Sequence, residues 1–96
     1  MYICTMENEK KNITFIVNPI SGTKSKEELP QLIEQRIDST KYNCRIITTE
    51  YAGHAEAIAK QCITEGIDIV VAVGGDGTVN EVARALVHSQ VALGIV

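Results

Sequence analysis

The run Ile69-Val70-Val71-Ala72-Val73-Gly74-Gly75-Asp76-Gly77-Thr78-Val79-Asn80-Glu81 decides the fold. Its first five residues are apolar and mostly β-branched, the composition of a strand buried on both faces. Three glycines in the next four positions then break the run into a turn, where the backbone can take positive φ and approach a ligand with no Cβ in the way. Thr78 and Glu81 stand at capping-box spacing, which predicts a helix starting at Val79. The amides of such a loop and the positive end of such a helix face the same side and together make an anion site. Asp76 narrows the chemistry. A carboxylate among phosphates is repulsive unless a divalent cation bridges them, or unless it accepts a hydrogen bond from a hydroxyl about to become a nucleophile. The pattern therefore points to phosphoryl transfer rather than to passive nucleotide binding.

Outward from this run, the rest of the chain alternates between strand and helix patterns. Residues 1–12 mix apolar and charged positions without a period and form an extension ahead of the fold. Ile13-Thr14-Phe15-Ile16-Val17 is the first strand, closed by Asn18-Pro19. The loop Asn18-Pro19-Ile20-Ser21-Gly22-Thr23-Lys24 fits an Asn-Pro turn with a hydroxyl cap, and equally a ligand loop at the end of a strand. Between about residues 25 and 38, Leu29, Leu32, Ile33 and Ile37 share one face of a surface helix, and Pro30, which suits only a first turn, puts its start nearer Glu27 than Ser25. A second strand covers 44–49, and a loop over 50–53 leads to a helix over 54–65 with Ala55, Ile58, Ala59 and Cys62 inward and Gly66 at its end. His54 is a polar cap or a surface residue and receives no chemistry. Beyond the glycine turn, Val82, Ala83, Leu86 and Val87 form the apolar stripe of the last helix, and a fourth strand runs from 91 to 96.

The order β-α-β-α-β-α-β calls for a three-layer α/β domain over residues 13–96, a parallel sheet of about four strands with helices on both faces. Strand order 2-1-3-4 places the loops after the first and third strands side by side at a switch point, whereas order 3-2-1-4 separates them.

Nine basic against twelve acidic residues, with no basic cluster and few aromatics, exclude a nucleic-acid surface. Cys4, Cys44 and Cys62 have neither paired nor zinc-ligand spacing and suit reduced thiols in a cytoplasmic protein. No apolar run approaches the ~20 residues of a transmembrane helix, so any membrane contact is peripheral, at the inner face. The last strand presents a sheet edge open to pairing, hence to a homodimer.

The octapeptide Gly74-Gly75-Asp76-Gly77-Thr78-Val79-Asn80-Glu81 resembles the GGDGTxNE signature of the diacylglycerol kinase catalytic-domain family, and Asn18-Pro19-Ile20-Ser21-Gly22 resembles its NPxSG motif. The resemblance runs from about residue 13 to 96 and is similar, at a distance, to NAD kinases. It implies an ATP-dependent kinase using magnesium, with a lipid hydroxyl of the diacylglycerol or sphingoid kind as acceptor at the membrane surface. By that resemblance Asn18, Pro19, Ser21, Gly22 and Thr49 lie against the nucleotide, Gly74, Gly75, Gly77 and Thr78 cradle phosphates, Asp76 engages magnesium or the acceptor hydroxyl, and Asn80 and Glu81 orient the loop. It also implies that this is the nucleotide-binding part alone, the catalytic carboxylate and lipid site belonging to a second, β-rich domain. Walker A and protein-kinase signatures are absent, and a dinucleotide fingerprint has glycine or alanine where Asn80 stands. An NAD kinase-like enzyme and a non-catalytic nucleotide-binding module are the alternatives; Asn80-Glu81 favours the lipid branch.

Overall fold

The computed structural model describes residues 11–19 and 41–95. They form β1 (Lys11–Val17), β2 (Tyr42–Thr48), α1 (His54–Glu65), β3 (Ile69–Val73), α2 (Asp76–Leu86) and β4 (Ala92–Ile95). The sheet order is β2-β1-β3-β4 and every pairing is parallel. The order that brings the first and third strands together is therefore the one adopted.

Strand alternation divides the apolar residues between two faces. Ile16, Val70 and Ala72 meet Ala55, Ile58, Ala59 and Cys62 of α1 and Val82, Ala85 and Leu86 of α2 in one buried cluster. Ile13, Phe15, Val17 and Val73 form a second cluster on the opposite face. Both described helices lie on the first face; the helix expected over 25–38 lies outside the described residues. α1 ends as its sequence suggests. Gly66 sits at φ 77°, its N–H reaches Ile63 O at 3.2 Å, and Ile67 N reaches Cys62 O at 3.0 Å, the two bonds of a Schellman ending.

Element bounds and one helix face differ from the sequence reading. β1 begins at Lys11 rather than Ile13, because Lys11 and Asn12 pair with Tyr42 and Asn43 and the amide of Asn12 donates to Asp68 Oδ2 at 2.8 Å. β2 begins at Tyr42 and ends at Thr48 for the same reason: ladder partners, not hydropathy, fix its length. The inward stripe of α2 is Thr78, Val82, Ala85 and Leu86, not Val82, Ala83, Leu86 and Val87. Val87 is 61% exposed just past the helix end.

Two polar clamps tie the layers. Arg45 on β2 reaches over β1, where its Nη2 donates to the fully buried Thr14 Oγ1 at 3.3 Å and to Glu65 Oε1 on α1 at 2.8 Å. Glu56 on α1 accepts from Arg84 on α2 at 3.2 Å and pairs with Lys60 at 3.3 Å. The hydrogen bond from Arg45 holds the Glu65 carboxyl below the usual range, and hydrogen bonds from Lys60 and then Arg84 do the same for Glu56. Both carboxylates are solvent-accessible, so each pair contributes little.

A carboxyl depressed in the folded state contributes stability above its unfolded pKa, about 4.3 for glutamate, and loses it as pH falls through the folded value. Denaturant titrations from neutral to acid pH are therefore expected to show stability declining below the ordinary glutamate range, and Glu65→Gln and Glu56→Gln each to flatten that decline.

Candidate functional site

Parallel strands all deliver their C-terminal ends to one edge of the sheet, and here the winding reverses between β1 and β3. Beyond the strand ends the ladder continues for one more residue. Thr49 N donates to Val17 O at 2.8 Å and Asn18 N donates to Val73 O at 3.0 Å. These bonds stand the loops after β2, β1 and β3 side by side. Between them opens a cleft of about 370 Å³. The β1 loop contributes Asn18 and Pro19, the β2 loop Thr49, Glu50, Tyr51 and Ala52, and the helices Ala55, Gly77, Thr78 and Glu81.

The glycine turn is built differently from the expected capping box. α2 starts at Asp76, three residues earlier than Val79, with Gly75 as N-cap in extended geometry and no side-chain cap. Gly75 O accepts from Thr78 N at 3.1 Å and from Val79 N at 3.2 Å, so the first turn closes on backbone alone. The Thr78 side chain is buried, only 4% exposed, beneath the start of the helix. Asp76 and Gly77 thus occupy the first turn, where helix amides lack intrahelical partners and the positive end of the dipole lies. Gly74, at φ 152°, turns the chain from strand to helix.

Gly77 is the most informative of these residues. A Cβ added there meets no atom within 4 Å, so no internal packing demands glycine. In a helix glycine is less favourable than alanine by about 0.5–1 kcal/mol. Gly77 lies on the cleft wall, where the missing side chain leaves its backbone uncovered.

The structure brings Asn18, Pro19, Thr49, Gly77, Thr78 and Glu81 to the cleft wall. Gly74, Gly75 and Asp76 form the turn leading into it, with Asp76 exposed on the first turn of α2. Asn80 is exposed and outside the lining. Ser21 and Gly22 lie outside the described residues. Among the described residues no group of three His, Cys, Asp or Glu side chains converges on a metal position. Glu50, Tyr51 and Ala52 line the cleft although sequence reasoning gave them no role, the signal for them being their place directly after a strand that ends at this edge; Ala55, read from the sequence as an inward helix residue, lines it as well. His54 organises that loop, since its Nδ1 accepts from Glu50 N at 2.9 Å and its ring stacks on Tyr51 with centroids 4.3 Å apart. The titratable side chains in the described wall are Glu50, Tyr51 and Glu81, with no lysine or arginine among them.

A parallel α/β sheet with its cleft at the switch point and a glycine turn opening a helix defines an α/β domain of the doubly wound kind. Residues 12–96 match the diacylglycerol kinase catalytic domain, and the chain belongs to that family. It is 35% identical over 78 residues to a diacylglycerol kinase of Staphylococcus aureus, a match covering 80% of this chain and 24% of the relative. With a diacylglycerol kinase of Bacillus subtilis the identity is 36% over 77 residues, covering 79% of this chain and 25% of the relative. The chain thus spans about a quarter of the length of these relatives. The crystal structure of a diacylglycerol kinase from Bacillus anthracis shares the fold, with a TM-score of 0.68 at 23% identity, over 88% of this chain and 32% of the other.

Gly77→Ala is expected to raise stability by about 0.5–1 kcal/mol, since helix propensity improves and nothing is displaced. Gly53→Ala, at φ 89°, is expected to lower it by about 1–2 kcal/mol. Thermal denaturation of the two variants checks both signs; destabilisation by Gly77→Ala would show that glycine is needed for the fold and not for the cleft.

Proposed function

We propose that the chain is the ATP-binding part of a lipid kinase that transfers the γ-phosphoryl group of ATP to a diacylglycerol-like or sphingoid hydroxyl. The observation that carries this reading is Gly77, a helical glycine without a packing role that opens the positive end of α2 onto the switch-point cleft. Family membership supports the reaction class, and the names of the relatives supply the acceptor class.

The chain's own residues then divide the work, which in phosphoryl transfer is mostly positioning and charge neutralisation. The amides of Gly74, Gly75, Gly77 and Thr78 cradle the phosphates, and Asn18 with Ser21 and Gly22 closes the other side. With Glu50 and Glu81 in the described wall and Asp76 beside it, a polyphosphate needs cationic help to stay. Magnesium fits this donor set: it binds through one or two carboxylates plus substrate phosphates rather than in an all-protein cage. Asp76 is the carboxylate offered to it or to the acceptor hydroxyl, and bound magnesium supplies neutralisation of phosphate charge. Asn80 and Glu81 orient the loop, Glu81 from a half-buried position in the cleft wall. No described helix is long and apolar enough to cross a membrane. A diacylglycerol-like or sphingoid acceptor is itself a membrane lipid, so in this reading it is met at the membrane surface, from the cytoplasmic side. Among the described strands β4 lies at an edge, with Ile95 63% exposed, and a second copy would pair there.

Titration with Mg-ATP followed by amide chemical shifts is expected to move Gly74 to Thr78, and unmoved amides would sink the assignment. Asp76→Asn should weaken the magnesium dependence of binding more than binding without magnesium.

The acceptor is tested by assaying the full-length protein with labelled ATP against diacylglycerol, a sphingoid base and NAD in parallel. Label is expected on a lipid hydroxyl. Label on NAD alone would overturn the lipid assignment and leave the glycine-turn reading standing; label on none, with ATP still bound, would favour a nucleotide-binding module.

A further inference from the structure

The β2 loop gives the cleft a second chemistry that the phosphate-binding turn does not explain. Tyr51 is 63% exposed, yet its ring is not loose. One face lies on the His54 imidazole, with centroids 4.3 Å apart and planes 13° from parallel. His54 is itself fixed from two sides: its Nδ1 accepts from Glu50 N at 2.9 Å, and its backbone N donates to Tyr51 O at 3.1 Å. Gly53 at φ 89° makes this tight return possible. The acceptor role of Nδ1 assigns the ring proton of the neutral imidazole to Nε2. With one face covered, the exposure of Tyr51 belongs to its other face and edge, and Tyr51 lines the cleft. The neighbouring wall is Ala52 and Ala55, small side chains that leave room beside the ring.

A flat, pre-oriented aromatic ring in a cleft whose other wall is a helix N-terminus matches a ligand with an anionic end and a planar end. We infer that Tyr51, backed by His54, is the platform on which the nucleobase stacks, and that this pair sets the preference for a nucleotide over bare polyphosphate. The inference rests on the proposed nucleotide reading of the cleft and adds the residue that recognises the base. Stacking suits this place because it needs no fixed hydrogen-bond pattern and because a ring already held by its neighbour loses little freedom on binding. His54 acts through Tyr51 and is a positioning residue.

The test compares Mg-ATP with Mg-tripolyphosphate, which keeps the phosphates and lacks the base. Calorimetric affinities are measured for the purified protein and for Tyr51→Ala, Tyr51→Phe and His54→Ala. Tyr51→Ala is expected to weaken ATP by about 5- to 150-fold while leaving tripolyphosphate within about twofold. Tyr51→Phe should retain both affinities, and His54→Ala should lower the ATP-to-tripolyphosphate ratio by a smaller factor. The ring protons of Tyr51 should shift on adding ATP and not on adding tripolyphosphate. Unchanged ATP affinity in Tyr51→Ala, or equal loss for both ligands, would overturn the platform, the second by showing a role in loop structure alone. An unchanged ratio in His54→Ala would remove the positioning role. If the unmodified protein binds neither ligand, the nucleotide reading itself fails and the platform with it.

Discussion

Pairing of β1 with β3 is the constraint from which the cleft follows. Their register sets Val17 against Val73, so both strands end at the same level. The next residue of β1, Asn18, then bonds to Val73 O and starts its loop beside the glycine turn. Neighbouring strands lie about 4.8 Å apart, a spacing that lets two loops share one small ligand. Had β2 stood between them, the same loops would be twice as far apart. The motif residues would be unchanged and the cleft would not exist. Position in the sheet, more than the identity of any single loop residue, makes Asn18 and Gly77 members of one site.

Within that frame the backbone of α2 supplies the polarity of the site. Closing the first turn on Gly75 O leaves the Thr78 side chain free to go inward, where it starts the buried stripe continued by Val82, Ala85 and Leu86. One residue thereby serves two links of the chain of cause. Burying Thr78 anchors the helix to the sheet, and the same anchoring aims the first-turn amides and Gly77 at the cleft. A capping box would instead have kept Thr78 at the surface and moved the helix start a turn away from the strand.

That difference also explains what could be read before the fold was known. β3, the helix over His54–Glu65 with its inward residues and Gly66 ending, and the parallel α/β class follow from apolar periodicity and glycine placement, whereas the order 2-1-3-4 follows only if the loops after the first and third strands are taken to share one ligand. The phase of α2 did not, because a polar residue heads its stripe: Thr78 reads as a cap by local spacing, and only tertiary burial reveals it as core. Lys11 and Asn12 likewise look like extension by hydropathy, and it is the partner strand that recruits them. Half of the cleft wall was legible as motif. The part from the β2 loop carries no motif, since Glu50, Tyr51 and Ala52 become neighbours of the glycine turn only through the sheet order.

The interactions that hold the layers together stand apart from the cleft. Arg45 with Thr14 and Glu65, Glu56 with Arg84, and Asn12 with Asp68 are none of them in its wall. The wall depends instead on backbone bonds at the strand ends and on one aromatic stack. Surface ion pairs and ladder ends are individually weak, but they load different parts of the molecule. A side chain changed in the cleft therefore perturbs ligand contacts without removing a clamp, and sites more than about 7–10 Å apart with no shared partner are additive in their effects on stability. The exception is Thr78, which is both wall and core. A change there alters helix docking and the shape of the cleft together, so its effect on the cleft cannot be divided from its effect on the fold, whereas Gly77, one position earlier, separates the two.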